Sequence, residues 1–161
     1  MPRKELEPED VTAIADNREQ LPYSLAPLKM EPGTLDTGDY TVKGLERFIA
    51  IERKSLSDFL GCIGQERERF QRECQRLLGY ETRAIIVEAS WQDLERGEWK
   101  NKLDPQHVMG SALGWIAAGI PIIFGGNRTS CEKIAARMLF IAARRKWRDL
   151  QAFMPSLKIS T

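Results

Sequence analysis

The chain has one histidine, His107, only three cysteines, and almost no excess of either charge. Each scarcity excludes something. A lone histidine removes catalytic His pairs and His-based zinc sites. Cys62, Cys74 and Cys131 form an odd set without zinc-type spacing, as expected in a reducing cytosol. Cys62 and Cys74 read as sharing one helix, roughly 18 Å apart and beyond disulfide reach, both as small buried hydrophobes. No stretch nears the ~20 apolar residues of a membrane span, and the opening MPRKELEPED has no apolar export core. The expectation is a soluble, cytoplasmic chain. With 24 Lys+Arg against 23 Asp+Glu the net charge is +1, which excludes a histone-like basic fold. A nucleic-acid partner must then be met by local patches.

What is present suits one domain. The 161 residues are 42% hydrophobic and 29% charged, enough for a proper core. Residues 1–10 read as a loose, charged N-terminus, 11–152 as the domain and 153–161 as a tail. Residues 11–15 (VTAIA) predict a strand. Residues 20–33 hold Pro22, Pro27 and Pro32 and predict a loop with one helical turn. Residues 34–43 and 47–54 predict a hairpin turning at 44–46, with Phe48, Ile49, Ala50 and Ile51 as a buried run. One helix is predicted from Ser55 or Ser57 to the natural stop at Gly79, although Gly61 and Gly64 weaken its first turns. Residues 83–89 (RAIIVEA) predict a strand covered on both faces. Asp104-Pro105 opens a helix to about 118, and residues 120–124 (IPIIF) predict another buried strand. Thr129 or Ser130 starts a last helix to about 150, its apolar face lined by Ile134, Met138 and Ile141. This order predicts a three-layer α/β architecture with a mixed central sheet flanked by helices.

One cluster carries the chemistry. Gly38-Asp39 is followed by Glu52-Arg53-Lys54 and then by Asp58. Six fixed letters at this spacing arise by chance in roughly one such chain in ten thousand. A phosphodiester resists water because its charge repels nucleophiles and its alkoxide leaves poorly. A hard divalent cation relieves both obstacles, and oxygen ligands select Mg²⁺ or Mn²⁺ over zinc. Asp39 and Glu52 are the candidate ligands. Lys54 lies two residues from Glu52 on a strand, so both side chains share a face. Its ammonium is placed either to orient the attacking water or to stabilise charge on the phosphoryl group. Arg53 points to the opposite face, with Asp58 or Glu19 as its expected carboxylate.

The residues around the cluster admit two readings each. Asp16-Asn17-Arg18-Glu19 is either a solvated strand exit, or Asp16 or Glu19 leans into the metal site while Arg18 touches phosphate. Arg69 and Arg76 share a helical stripe that meets a DNA backbone, or belongs to an ion-paired exposed face. Trp99 is either a packing anchor or, beside Lys100 and Lys102, a platform for a base. His107 reads as an ordinary helix residue.

Asp16-x-Arg18-Glu19, Gly38-Asp39-Tyr40, Glu52-Arg53-Lys54-Ser55, Asp58 and Arg69-Phe70-x-x-Glu73-x-x-Arg76-Leu77 together resemble the nuclease domain of the XPF family of structure-specific DNA endonucleases. That family is a branch of the PD-(D/E)XK restriction-endonuclease-like superfamily. The likeness spans roughly residues 11–150. It implies a restriction-endonuclease-like fold and Mg²⁺- or Mn²⁺-dependent cleavage of branched or flap DNA. It implies Asp39, Glu52 and Lys54 as the core site, with Asp16, Glu19, Arg53 and Asp58 around it. It also implies pairing of two subunits, here a homodimer because every motif letter is intact. The alternative is a non-catalytic DNA-binding or scaffolding module of the same fold. The chain departs from the family in lacking a tandem helix-hairpin-helix region and in placing Glu73 where the family often has Gln.

Overall fold

The computed structural model describes residues 4–158. The elements run β1 (Thr12–Asp16), β2 (Lys29–Gly33), β3 (Tyr40–Val42), β4 (Ile49–Ser55), α1 (Leu56–Ile63), α2 (Arg67–Leu77), β5 (Thr82–Glu88), α3 (Trp91–Arg96), α4 (Pro105–Ala117), β6 (Ile122–Phe124) and α5 (Arg128–Phe153). Among the described residues these strands form a single sheet in the order β2-β1-β3-β4-β5-β6. β1 pairs parallel with β2, β3 antiparallel with both β1 and β4, and β4, β5 and β6 run parallel. The mixed three-layer sheet is the one expected.

Strand alternation builds a core on each face of this sheet. Ile49 and Ile51 join Ala13, Ala15, Tyr40, Val42 and Ile86 beneath α5. Ala50, Ile85 and Val87 face the other way, into Phe59, Phe70, Leu77, Val108 and Trp115 from α1, α2 and α4. Trp115 meets Phe59 and Phe70 edge-on, with ring centroids 6.2 and 4.6 Å apart. Each such pair contributes about 0.5–1.5 kcal/mol beyond the buried area.

Several expectations are corrected. The single helix expected from Ser55 to Gly79 breaks at Gly64 into α1 and α2, because glycine there lets the backbone leave helical geometry (ψ −109°). Cys62 and Cys74 therefore lie on different helices, both buried and both free thiols. β2 replaces the expected loop; as an edge strand it accommodates Pro32. The first hairpin arm shrinks to β3, which pairs with β4 through Tyr40 and Ile51, while residues 34–35 are irregular and 36–39 form bends. α3 was not anticipated. Ser90 caps it, and Asp93 closes a reciprocal capping box. Phe48 is 41% exposed rather than buried, with the Lys146 ammonium 4.4 Å above its ring.

On α5 the buried stripe is Cys131, Ala135, Leu139, Ala142 and Ala143. Small alanines let the helix lie close on the sheet, so Ile134 and Met138 move to its margin and Ile141 is exposed. Residues 4–10, expected to be loose, hold a 3-10 turn at Pro8–Asp10, and the Lys4 carbonyl accepts hydrogen bonds from Trp147 and Gln151. The remaining ends of the two expected terminal segments, 1–3 and 159–161, lie outside the described residues.

Candidate active site

Gly38 sets the site's geometry. Its φ is +80°, and a Cβ there would stand 3.0 Å from the Ile51 carbonyl oxygen. Glycine lets the chain approach β4 this closely. Asp39 then donates its N–H to that same oxygen at 2.8 Å, and its carbonyl accepts from Asp16 N–H at 2.8 Å. Its carboxylate Oδ2 accepts the Arg53 N–H at 2.7 Å. Asp39 is thus stitched between β1 and β4, beside Glu52.

Alternation along β4 does the rest. Glu52 and Lys54 follow Ala50 toward α1 and α2; Arg53 follows Ile51 toward α5. Lys54 Nζ lies 3.2 Å from Glu52 Oε1 and 3.4 Å from Glu73 Oε2. Asp16, Arg18, Asp36, Asp39, Glu52, Arg69, Glu73 and Arg76 line one cleft of about 290 Å³. The expected pair of carboxylates and the three expected phosphate-facing arginines are brought to one place.

Electrostatics separate the two faces of β4. Burial, then the charge of Glu52, pushes the Asp39 pKa up to about 8. Burial also raises Glu52, although Lys54 opposes it. Burial alone would lower Lys54, but Glu52, Cys62 and Glu73 outweigh it and the pKa rises, so the side chain stays an ammonium at neutral pH. Two half-buried carboxylates that resist joint ionisation fit a divalent cation, which would favour both charges. Among the described residues no three His, Cys, Asp or Glu side chains converge as a ready-made cage. Asp39 and Glu52 would therefore share such an ion with water and phosphate oxygens, as Mg²⁺ prefers.

The opposite face is closed. Arg53 Nε donates to Glu88 Oε1 at 2.7 Å, and Nη1 to Glu19 Oε2 at 3.1 Å and the Leu21 carbonyl at 2.7 Å. The guanidinium also sits 4.4 Å over the Tyr23 ring, and Tyr23 donates its hydroxyl to Glu88 at 2.7 Å. Glu19 further accepts from Tyr40 Oη at 3.1 Å. Of the two partners expected for Arg53, Glu19 is present and Asp58 is not. Asp58 is exposed in the first turn of α1, where its N–H reaches Ser55, and it does not line the cleft.

Asp16 borders the cleft with its oxygens already engaged. Oδ1 accepts from Arg18 N–H and Nε at 2.9 and 2.7 Å, and Oδ2 from Arg18 Nη2 and Leu35 N–H at 3.0 and 2.8 Å. The Arg18 hydrogen bond chiefly holds its pKa down at about 2, against the effect of burial. Asp16 thus fixes the loops at 17–18 and 35, and presents Arg18. Trp99 donates to the Leu103 carbonyl at 2.9 Å and packs against the α1–α4 core, away from the cleft. Sequence reasoning missed Glu88 as a partner, and gave Glu73 no role beyond its place in the helical motif and as a departure from it. Glu73 stands one turn after Arg69, and that spacing signals the Arg69 ion pair but not the pairing with Lys54.

The family model of the ERCC4 domain matches residues 14–138. The chain belongs to the ERCC4 domain family. Among solved structures it is similar to XPF from Aeropyrum pernix, with a TM-score of 0.64 and 22% identity over 88% of this chain and 73% of that one. It is also similar to XPF from Aeropyrum pernix in complex with DNA, with a TM-score of 0.64 and 21% identity over 84% of this chain and 66% of that one. No curated protein matches in sequence. At this identity the likeness shows the fold, and that fold is restriction-endonuclease-like, as the resemblance to the XPF family implied. Among the described residues no helix is long and apolar enough to cross a membrane.

Proposed function

We propose that this ERCC4 domain is a divalent-metal-dependent DNA endonuclease, acting on branched or flap DNA. The observation that carries the reading is the Asp39–Glu52–Lys54 arrangement: two half-buried carboxylates with raised pKa values line a cleft rimmed by Arg18, Arg69 and Arg76, and the Lys54 ammonium stands 3.2 Å from Glu52. Asp39 and Glu52 would hold Mg²⁺ or Mn²⁺, which when bound neutralises a phosphate oxygen and acidifies water. Lys54, fixed as an ammonium, cannot serve as the base. It stabilises negative charge at the reacting phosphate and orients the nucleophile. Arg69 and Arg76 project from one stripe of α2 and, with Arg18, position the strand through its phosphates. Arg53, bound to Glu19 and Glu88, supports the strand that carries Glu52 and Lys54.

Pairing of two copies is part of this reading. It is supported by a groove of about 690 Å³ beside the sheet edge at β6, whose apolar floor of Ile123, Ile134, Met138 and Ile141 is bordered by Lys133, Arg137 and Arg145. Such a surface suits an isologous contact. A non-catalytic scaffold would have no use for two adjacent carboxylates that oppose each other's ionisation. The test is a panel of flap, fork, single-stranded and duplex DNA, incubated with Mg²⁺ or Mn²⁺ and either wild type or Lys54→Ala. Structure-dependent cutting by wild type alone is expected. A folded wild type that cuts none of them sinks the proposal.

A further inference from the structure

Lys54 is shared between two carboxylates from different elements. Its ammonium is 3.2 Å from Glu52 Oε1 on its own strand and 3.4 Å from Glu73 Oε2 on α2. The second Glu73 oxygen faces Arg69 Nε at 3.7 Å. The Lys54, Glu52 and Glu73 side chains are all largely buried, at 14%, 15% and 17% exposure, so none can trade the others freely for water. Phe70, one helical turn before Glu73, places its ring 5.7 Å from the same ammonium.

We propose that Glu73 is a positioning residue. It gives the Lys54 ammonium a second buried counter-ion, which frees Glu52 to bind the divalent cation. The inference rests on reading Asp39 and Glu52 as the cation's ligands. An ammonium and a divalent cation compete for the same carboxylate. With Glu73 in place, Lys54 keeps a partner when Glu52 turns to the metal. Without Glu73, Glu52 is the one acidic group within 4 Å of Lys54 among the described residues. A cation must then strip Lys54 of its only buried counter-charge, which is strongly unfavourable. Glu73 also ties Arg69 to this pair, so one carboxylate sets both the ammonium and a phosphate-facing arginine.

A bystander charge makes a different prediction, since it would favour any nearby cation by its field alone, regardless of Lys54. Calorimetric titration of the full chain with Mn²⁺ separates the two. Glu73→Gln is expected to weaken Mn²⁺ binding about tenfold in the wild-type background and less than about twofold in a Lys54→Met background. Glu73→Asp keeps the charge but shortens the reach, and is expected to lose affinity nearly as Gln does; a bystander charge would leave it close to wild type. Equal loses in the two backgrounds, or no loss on Glu73→Gln, overturn the proposal. Wild-type Mn²⁺ binding that survives Asp39→Ala strikes instead at the assignment of the ligands, and a wild type that binds no Mn²⁺ overturns both.

Discussion

The two faces of β4 carry the same kinds of residue to opposite ends. Toward α5, Arg53 meets Glu19, Glu88, the Leu21 carbonyl and the Tyr23 ring, so charges and hydrogen bonds are matched. Toward α1 and α2, Asp39 and Glu52 are both displaced from their ordinary pKa values by burial, with one ammonium between Glu52 and Glu73. A matched network stabilises structure. An unmatched one is tolerated where binding a ligand completes it. One residue of strand period therefore separates scaffold from candidate chemistry.

The largest effect should come from breaking the unmatched face. Lys54→Ala or Glu52→Gln is expected to lower the cleavage rate by about a thousandfold or more. Thermal unfolding of Glu52→Gln should show the fold retained, since it removes one unfavourable charge and leaves Lys54 paired with Glu73.

Next is the matched face. Arg53→Ala leaves Glu19 and Glu88 without their shared cation, and should lower stability by about 2–4 kcal/mol in urea titrations. Near-equal stability of Arg53→Ala and wild type would erase the contrast between the faces.

The third sharpens the comparison through pH. The folded-state pKa of Asp39 is raised from 3.8 to about 8, so the folded protein holds this proton more tightly than the unfolded chain does. The favourable contribution is complete below the unfolded value and disappears as pH rises through about 8. In metal-free protein, Asp39→Asn should therefore gain stability relative to wild type at pH 9 compared with pH 5. Asp16 has the opposite sign. Its pKa is lowered to about 2, so its contribution is present above the unfolded value and fades only as pH falls through about 2. Asp16→Asn should show no such gain between pH 5 and 9.

The smallest effects concern the rim. Arg69→Ala and Arg76→Ala are each expected to weaken DNA binding about three- to tenfold and to reduce the salt slope by about one. Fluorescence anisotropy at several salt concentrations checks this without any turnover.

The layer order and the central strands were legible because β4 opens on the apolar run 49–51 and β5 is a near-continuous apolar run, as a sheet covered on both faces requires. The core motif was legible because its spacing is local: Gly38 and Asp39 form a bend, and residues 52–54 alternate on one strand. β2 was hidden behind its prolines, whose exclusion from strands relaxes at an edge. The break between α1 and α2 was hidden by apolar periodicity that continues from Phe59 to Leu77 across Gly64. Glu88 and Glu73 were beyond reach as partners, since ion pairing across 35 and 19 residues is decided by packing and not by spacing. The same holds for α5, where period 3.6 fits both stripes. The alanine stripe is buried because small side chains permit the closer approach.

Anomalous diffraction from a crystal soaked in Mn²⁺ tests the central claim most directly. The account predicts a manganese peak between the Asp39 and Glu52 carboxylates, with Lys54 alongside. A soaked crystal with no peak there, or with manganese bound only elsewhere, would contradict it.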